Sequence, residues 1–402
     1  MLVLEYKVKG KQQQYRAIDE AIKTTQFIRN KAIRYWMDAP KEMKVDKIAL
    51  NNYSTALRKE FRFVKDLNSM ACQSATERAW LSIARFYDNC KSKKPGKKGF
   101  PRFQKDNRSV EYKTSGWSLH PTKRRITFTD KKDIGEVKLL GKWEIHTYPV
   151  KFIKRVRLVR KADGYYCQFA VDIEGKHESR TADGELGLDV GLEFFYSDSN
   201  GHHEENPRFL RKAEKAIKQA QRQIYKKEKG KNNRRKARRR YAKKHLRVNR
   251  QRNEHALRLA RCVCKANALV AYENLNVKGM VKNHRLAKSI NDVAWSLFRR
   301  WLEYFARKFN TTVVAVNPRM TSQKCSDCGA IVKKSLSTRT HKCNCGCELQ
   351  RDVNAAINIL NLARQARDGQ SRSNATGLVT STLVGESLLE QVTRKNVESP
   401  CL

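Results

Sequence analysis

The chain has 402 residues, 40% of them hydrophobic, which is enough for about two or three folded domains with apolar cores. Lysine and arginine number 85 against 40 aspartate and glutamate, a formal net charge of +45. This charge predicts a nucleic-acid partner, because basic side chains that neutralise phosphates release condensed counterions. No apolar run approaches the roughly 18 residues of a membrane-spanning helix, and "MLVLEYKVKGK" turns polar too early for a secretory signal. We therefore expect a cytoplasmic or, in bacteria, nucleoid-bound protein without membrane contact.

The N-terminal part of the chain is predicted to contain one strand, a helical block and then a β-rich segment. "MLVLEYKVKG" alternates apolar and polar residues, which is typical of a strand. Apolar residues at spacings of three and four then predict two amphipathic helices within residues 15–90. The lysine-rich segment "KSKKPGKKGFPRF" indicates an exposed connection, and β-like sequence follows it to about residue 180, with a hairpin turn at "KADG". If the first strand joins this later sheet, the helical block is an insertion between its strands.

A strongly basic segment dominates the middle of the chain. Before it, "GELGLDVGLEFFYSDSNGHH" predicts an apolar strand with Asp189 in its middle, followed by a second strand. Residues 208–252 contain only two acids, Glu214 and Glu228, and Gly230 to Asn233 are expected to divide them into two basic helices. One alternative is that these charges form an ordinary solvated helix face. Because almost all of them are positive, the segment favours a helical arm that contacts a polyanion. The candidate contacts are Arg234, Arg235, Arg238, Arg239, Lys243 and Lys244.

The C-terminal part alternates strands and helices around a cysteine-rich insertion. "ANALVAYENLNVKGM" predicts a buried strand that ends near Glu273, and an amphipathic helix with several aromatic residues follows from Trp295. The strand "TTVVAVN" precedes the cysteines, and a helix is predicted to begin at Asp352. Residues 366–402 have no sustained period and many small polar side chains, so we expect a flexible tail.

Five cysteines between residues 325 and 347 indicate a metal site rather than a disulfide framework. Cys325 and Cys328, followed by glycine, have the CxxCG spacing at which two thiolates bind one zinc ion. The return segment "CNCGC" offers three sulfur atoms for two remaining places. We predict the ligand set Cys325, Cys328, Cys343 and Cys345, with Cys347 as the substitute for either of the last two. A set of four protein ligands would make this zinc structural rather than catalytic.

Three acids on core elements form a second candidate site. Asp189 lies in an apolar strand, Glu273 ends a buried strand and Asp352 opens a helix. A carboxylate at such a position is costly unless it is paired or binds a metal, so the three acids predict a shared divalent-metal site. Oxygen ligands suit Mg²⁺, and two such ions can support phosphodiester hydrolysis. The alternative gives each acid an ordinary role in a turn, at a strand end or as a helix cap.

Four segments together resemble a known family. "GLDVGLEFFYSDSNG", "LVAYENLNVKGM", "VNPRMTSQKCSDCG" and "CNCGCELQRDVNAAINIL" are similar, in this order, to motifs of the transposon-encoded TnpB (OrfB) family. That family comprises compact RNA-guided nucleases related to type V CRISPR effectors. The similarity runs from the first strand to the tail and is most specific over residues 187–360. The departure is "CNCGC", because the family usually has CxxC at this position.

The resemblance implies a catalytic triad and a domain organisation. Asp189, Glu273 and Asp352 match the acids of a RuvC-like site that uses Mg²⁺ or Mn²⁺. The implied fold is α+β and multidomain, with an RNase H-like (RuvC) α/β nuclease domain, a zinc-ribbon insertion and a β-barrel wedge domain that carries an inserted helical recognition lobe. The expected ranges are 1–14 and 96–180 for the wedge, 15–95 for the lobe, 181–318 and 351–365 for the nuclease domain, which includes the basic arm, and 319–350 for the ribbon.

The function implied is an RNA-guided DNA endonuclease of an insertion sequence in a prokaryote. A guide RNA from the transposon end and a target double-stranded DNA with a short flanking motif are the expected partners, because base pairing selects the sequence in such systems. One guide for each nuclease centre makes a monomer the simplest expectation. Two alternatives remain open, namely a guided DNA-binding repressor without nuclease activity and a transposase that joins DNA ends.

Overall fold

The computed structural model describes residues 2–40, 42–92, 96–141, 144–172, 182–335 and 338–373. The chain divides into two compact units, residues 1–174 and 175–402. None of the helices in the described ranges combines the length and the apolar character needed to cross a membrane.

The first unit is built on one antiparallel sheet of seven strands in the order β2-β6-β7-β1-β5-β4-β3. The strands are β1 (Leu2–Lys9), β2 (Ser109–Tyr112), β3 (Trp117–Leu119), β4 (Arg125–Phe128), β5 (Gly135–Leu140), β6 (Ile153–Lys161) and β7 (Gly164–Val171). The first strand pairs with both β5 and β7, so everything between β1 and β2 is inserted between strands of the sheet. The hairpin predicted at "KADG" joins β6 to β7.

Four helices form the insertion in the first unit. They are α1 (Gln12–Asp38), α2 (Lys47–Glu60), α3 (Arg62–Lys65) and α4 (Ser69–Lys91). The two predicted amphipathic helices correspond to α1 and α4, whose apolar faces pack together and bury residues such as Ile33 and Ile83. Asp46 begins α2 by accepting a hydrogen bond from the backbone N–H of Ala49, and Asn68 caps α4 in the same way through Met70.

The second unit is built on a five-stranded sheet in the order β10-β9-β8-β11-β12. The strands are β8 (Gly184–Asp189), β9 (Phe194–Asp198), β10 (His203–Glu205), β11 (Asn267–Glu273) and β12 (Thr312–Val316). Strands β8, β11 and β12 are parallel, whereas β9 and β10 pair antiparallel with their neighbours. A separate two-stranded hairpin, β13 (Thr340–Lys342) and β14 (Glu348–Gln350), lies in the cysteine region.

The second unit has helices on both faces of its sheet and further helices that pack on these. They are α5 (Phe209–Tyr225), α6 (Asn232–Ala266), α7 (Val277–Met280), α8 (His284–Val293), α9 (Trp295–Phe309) and α10 (Arg351–Ser373). On one face, α6 and α9 pack against Leu186, Leu188 and Val270. On the other face, Ile359 and Ala363 of α10 pack against Ala271 of β11. Alternation of side chains along the strands produces these two apolar faces.

Three features differ from the sequence expectations. Asp189 is the last residue of β8 rather than a residue in its middle. The second basic helix, α6, continues without a break to Ala266, and α7 and α8 precede the aromatic helix. Helix α10 continues to Ser373, past the tail boundary expected at 366, and Arg367 in this added part pairs with Glu185 of β8. The remaining part of the predicted tail lies outside the described residues.

Candidate active site and metal-binding region

Asp189 and Glu273 end two neighbouring parallel strands. Leu188 of β8 pairs with Tyr272 of β11, so the two acids follow side by side at the carboxyl edge of the sheet. Side chains alternate along a strand, and Asp189 and Glu273 share the face of Gly187 and Ala271, which is the face that α10 covers. Both acids therefore point to the side on which Asp352 begins its helix.

A very close approach of helix and strand brings Asp352 to this edge. An ideal Cβ atom added to Gly187 would lie 2.0 Å from the backbone oxygen of Ala356, so α10 lies directly on β8 at this glycine. Asp352 is one turn before Ala356 and is 8% exposed. Gln350 caps the helix, since its side-chain oxygen accepts hydrogen bonds from the backbone N–H groups of Asp352 (2.8 Å) and Val353 (3.0 Å).

The three carboxylates interact electrostatically. Loss of hydration raises the pKa of Asp189 well above its usual value, the negative charges of Glu273 and Asp352 raise it further, and Arg351 lowers it. Loss of hydration also raises the pKa of Glu273, and a hydrogen bond from Thr321 partly offsets that effect. Mutual repulsion of this kind is expected of acids that share one site, and a bound cation would relieve it.

The three acids do not belong to the most compact groups of potential metal ligands. Within the described ranges, the groups of three or more potential ligand atoms that lie within 4.8 Å of one another consist of cysteines and one histidine. The carboxylates of Asp189, Glu273 and Asp352 are not among them.

Polar side chains connect the acids to the cysteine region. The Thr321 hydroxyl donates a hydrogen bond to Glu273 Oε1 (2.5 Å), and the Asn358 side-chain amide donates to the backbone oxygens of Thr321 (2.9 Å) and Lys324 (2.7 Å). One turn earlier on α10, Asn354 donates to the same Lys324 oxygen (2.8 Å) and accepts from the backbone N–H of Ser326 (3.0 Å). The segment that leads into the first cysteine pair is thus attached to the helix that carries Asp352.

Two arginines neutralise Asp352. Arg351 Nε donates to Asp352 Oδ1 at 3.1 Å. Arg339 lies 2.7 Å from Glu193 and 4.0 Å from Asp352 Oδ2, and its backbone oxygen accepts a hydrogen bond from the Arg351 N–H at 2.7 Å. These contacts attach the cysteine hairpin to the carboxylate edge of the sheet and provide positive charge beside it.

The structure brings the four predicted cysteine ligands together. The Sγ atoms of Cys325, Cys328, Cys343 and Cys345 lie within 4.8 Å of one another, with separations of 3.7 Å for Cys325 and Cys345 and 3.6 Å for Cys328 and Cys343. The residue after each pair is a glycine with positive φ, +78° at 329 and +94° at 346, as the tight turn requires. Four sulfur atoms at these distances can hold one metal ion.

One thiol of this group is favoured as a thiolate. Burial by itself would raise the pKa of Cys325, but hydrogen bonds from the backbone N–H groups of Cys328 and Asp327 lower it to about 5. The thiolate is the form that binds a metal. Cys347 is not a member of this four-cysteine group. It forms a second group of potential ligands with Cys325 and His341.

The candidate nucleic-acid residues on α6 differ in their surroundings. Arg234 donates to the backbone oxygens of Ile224 (3.0 Å) and Lys227 (2.8 Å) and therefore closes the C-terminal end of α5. Arg235, Lys243 and Lys244 are exposed. Arg238 and Arg239 are also exposed but have interactions within the chain.

Sequence reasoning missed the residues that hold the acids in place. Thr321, Asn354 and Asn358 lie within the motifs "VNPRMTSQKCSDCG" and "RDVNAAINIL" but had no assigned role. One signal was available, because two asparagines four residues apart in an otherwise apolar helix lie on the same face. Both are buried in the structure, and a buried amide needs a hydrogen-bond partner.

Two family models match adjacent parts of the chain. The OrfB_IS605 model, described as "Probable transposase", matches residues 168–284, which include Asp189 and Glu273. The "Cas12f1-like, TNB domain" model matches residues 295–359, which include the five clustered cysteines and Asp352.

Several proteins are similar to the chain over larger segments. A Streptomyces pristinaespiralis protein named "Putative RNA-guided DNA endonuclease" is 36% identical over 177 residues, which represent 44% of this chain and 44% of that protein. The chain therefore spans less than half the length of this relative. The protein "Putative RNA-guided DNA endonuclease InsQ" of Escherichia coli K12 is 27% identical over 319 residues, 75% of this chain and 76% of that protein.

A solved structure supports the fold. The Cas12f1 chain of a cryo-EM complex of Cas12f1, sgRNA and target DNA has a TM-score of 0.55 with 14% identity, and the match covers 87% of this chain and 83% of that one. At this identity the similarity concerns the fold. Together, the family models and the relatives confirm that this chain resembles the TnpB (OrfB) family, as its motifs predicted.

Proposed function

We propose that this protein is an RNA-guided DNA endonuclease of an insertion sequence, which hydrolyses phosphodiester bonds at Asp189, Glu273 and Asp352. One observation carries the proposal. Asp189 and Glu273 end adjacent parallel strands, and Asp352 begins the helix that lies across the same face. Acids that are far apart in the sequence thus meet at one edge of a sheet in a chain of charge +45. The names of the relatives agree with this function.

Divalent ions fit the chemistry of these ligands. Carboxylate oxygens are the ligands that Mg²⁺ and Mn²⁺ prefer, and three acids can supply them at this edge of the sheet. When bound, such ions activate the attacking water and stabilise the leaving oxygen. The chain contributes by holding Glu273 through Thr321 and by placing Arg351 and Arg339 beside Asp352, where they can attract a phosphate.

The domain roles follow from the same proposal. The mixed sheet of the second unit, with its order β10-β9-β8-β11-β12, supports an RNase H-like (RuvC) nuclease domain. The four-cysteine group supports a structural zinc ribbon within residues 319–350. The seven-stranded sheet of the first unit, with helices inserted after β1, supports a wedge domain with a recognition lobe. Guide RNA and target double-stranded DNA are the proposed partners of a monomer.

A cleavage assay with the native guide tests the function. The chain is purified from cells that carry its flanking DNA, the co-purifying RNA is sequenced, and a matched DNA target is added with Mg²⁺ or with a chelator. We expect cleavage that needs Mg²⁺ and that is lost in Asp189→Ala, Glu273→Ala and Asp352→Ala. Glu185→Gln is the matched control, because Glu185 lies on the same strand as Asp189 but pairs with Arg364 and Arg367.

Other outcomes contradict the proposal or indicate one of the two alternative functions. Absence of a bound RNA contradicts the guided model. An RNA that directs tight DNA binding without cleavage indicates a repressor, and joining of DNA ends indicates a transposase. Equal cleavage by Asp189→Ala contradicts the assigned site.

A further inference from the structure

The cysteine region holds more metal-ligating side chains than one four-coordinate ion can use. The first ligand set consists of Cys325, Cys328, Cys343 and Cys345, and the second consists of Cys325, His341 and Cys347. In each set, the potential ligand atoms lie within 4.8 Å of one another. The two sets share Cys325, so they offer alternative positions for one ion.

The two sets differ in their exposure to solvent. All three members of the second set are buried, whereas Cys328 and Cys345 of the first set are exposed. The second set lies on the two-stranded hairpin, with His341 in β13 and Cys347 immediately before β14. A backbone hydrogen bond of 3.0 Å from Cys343 to Cys347 holds this end of the hairpin closed. Reagents that reach the exposed thiols would therefore reach the second set less easily.

The state of His341 independently points to a ligand. Its side chain is fully buried, its Nε2 atom makes no hydrogen bond of normal geometry within the described ranges, and its ring lies beside the Cys325 thiol. A buried polar atom without a partner is unfavourable, and a metal ion would satisfy it. The other ring nitrogen, Nδ1, contacts Lys334. Binding of a metal at Nε2 requires the ring proton to be on Nδ1, so Lys334 must then give up this contact.

We propose that Cys325, His341 and Cys347 form a second metal-ligand set, which binds a thiophilic divalent ion such as Zn²⁺ when the exposed cysteines of the first set cannot. Two thiolates and one imidazole are ligands that zinc prefers, and water completes the tetrahedron. The four-cysteine set binds the ion when it is intact, because it supplies four protein ligands. The inference rests on the proposed metal binding of this region and is independent of DNA cleavage.

Metal titration of the full-length chain tests the proposal, with Co²⁺ as a visible substitute for Zn²⁺. The variant Cys328→Ser/Cys343→Ser/Cys345→Ser keeps only the second set. We expect it to bind one Co²⁺ per chain, more weakly than the unmodified chain and with about half of the sulfur-to-metal absorption, because two thiolates replace four. When Cys347→Ser or His341→Gln is added to this triple variant, Co²⁺ binding should be abolished. Addition of Cys262→Ser is the matched control, because Cys262 is an exposed thiol outside the region.

A second measurement uses the unmodified chain and needs no substitution in the ligand sets. The metal-free unmodified chain is treated with limiting iodoacetamide, the fraction in which mass spectrometry finds Cys328 and Cys345 alkylated but Cys325 and Cys347 unmodified is isolated, and Zn²⁺ is then added. We expect the alkylated chain to retain one Zn²⁺ and to protect Cys347 from further alkylation until a chelator is added. Loss of binding after alkylation, or binding by the triple variant that survives Cys347→Ser, overturns the proposal. If the unmodified chain binds no Zn²⁺ at all, the proposed zinc ribbon itself is wrong.

Discussion

At the scale of single residues, the candidate site depends on side chains beyond the three acids. Thr321 is an example, because it is 4% exposed and its hydroxyl donates a hydrogen bond to Glu273. The same hydroxyl lies 3.3 Å from the Pro318 backbone oxygen. A positioning residue of this kind orients a ligand without binding the ion itself.

Replacement of Thr321 by valine is expected to weaken cleavage. Valine has a similar shape but removes a hydrogen bond to a charged group, which is worth about 1.5–3 kcal/mol, so we expect a fall in cleavage rate of about 10- to 100-fold. The rate should recover at higher Mg²⁺ concentration if Thr321 acts through metal binding. Thr321→Ser keeps the hydroxyl and is the control. Equal rates in Thr321→Val and the unmodified chain would contradict this role.

Glu111 in the first unit shows how a buried charge stabilises the fold. It is 2% exposed and lies 2.7 Å from Arg155 and 3.4 Å from Arg78, and it also pairs with Arg157. Burial by itself would raise the pKa of Glu111, but Arg157, Arg78 and Arg155 hold it well below its usual value of 4.5. The pKa in the folded state is therefore depressed relative to the unfolded chain. The resulting stabilisation is present above pH 4.5 and decreases as the pH falls below it.

Glu111→Gln is expected to destabilise the protein at neutral pH. Glu111→Gln removes the negative charge that faces the guanidinium groups of Arg78, Arg155 and Arg157 in a buried site, so we expect a loss of about 3–5 kcal/mol in the free energy of unfolding. Urea denaturation at pH 7 and pH 3 measures it, and the variant should lose less stability between the two pH values than the unmodified chain. Glu136→Gln, which breaks an exposed pair with Arg125, should cost about 1 kcal/mol or less. An equal loss of stability in the two variants would contradict this explanation.

At the scale of elements, the contact between α10 and β8 decides where Asp352 lies. Gly187 allows this contact, since any larger residue would meet the backbone of α10. Its neighbours Leu186 and Leu188 point to the opposite face, where α6 and α9 pack. Helix α10 and the ends of strands β8 and β11 thus form the site together.

Gly187→Ala is expected to disrupt the site more than the fold. A Cβ atom at this position forces α10 away from the sheet, and an overpacked core contact costs about 1–3 kcal/mol. Asp352 then moves relative to Asp189, so we expect cleavage to fall by more than about 10-fold. Gly279→Ala is the control, because the three atoms nearest its Cβ atom would all belong to the Asn276 side chain rather than to a helix backbone. Thermal unfolding and cleavage rate are compared, and retained cleavage in Gly187→Ala would contradict the prediction.

At the scale of the whole molecule, the charge of +45 favours the proposed association with nucleic acid. The basic helices α5 and α6 carry much of it, and Asp292 anchors them by accepting hydrogen bonds from the Leu210 backbone (2.8 Å) and Arg252 (2.7 Å). Arg234 joins the two helices through the backbone at the end of α5. Lys243 and Lys244 are exposed on α6, where they could contact phosphates.

Lys243→Ala/Lys244→Ala is expected to weaken RNA binding in a salt-dependent way. Each phosphate contact contributes about one unit to the slope of log affinity against log salt concentration, so the slope should fall by about two. Filter binding of the native RNA at several salt concentrations measures it. Lys243→Arg/Lys244→Arg keeps both charges and should leave the slope unchanged. An unchanged slope in the alanine variant would show that these lysines do not contact phosphates.

Most single elements could be predicted from local sequence patterns. The strands that end at Asp189 and Glu273, the helix that begins at Asp352 and the four clustered cysteines were all identified from spacing and periodicity, which depend on neighbouring residues. The boundary errors at Asp189 and at the end of α10 arose because long-range packing sets the ends of elements. Arg234 was assigned to nucleic acid, although its contacts lie in the helix before it.

The sequence by itself determined the kinds of ligand, the strong positive charge and the face on which each strand residue lies, because these depend on side-chain chemistry and on the two-residue repeat of a strand. Only the tertiary structure decided that β8 and β11 are neighbours, that α10 covers their shared face and that His341 joins Cys347 near Cys325. These contacts join residues far apart in the chain, and their energy comes from burial and shape. No local pattern encodes either property.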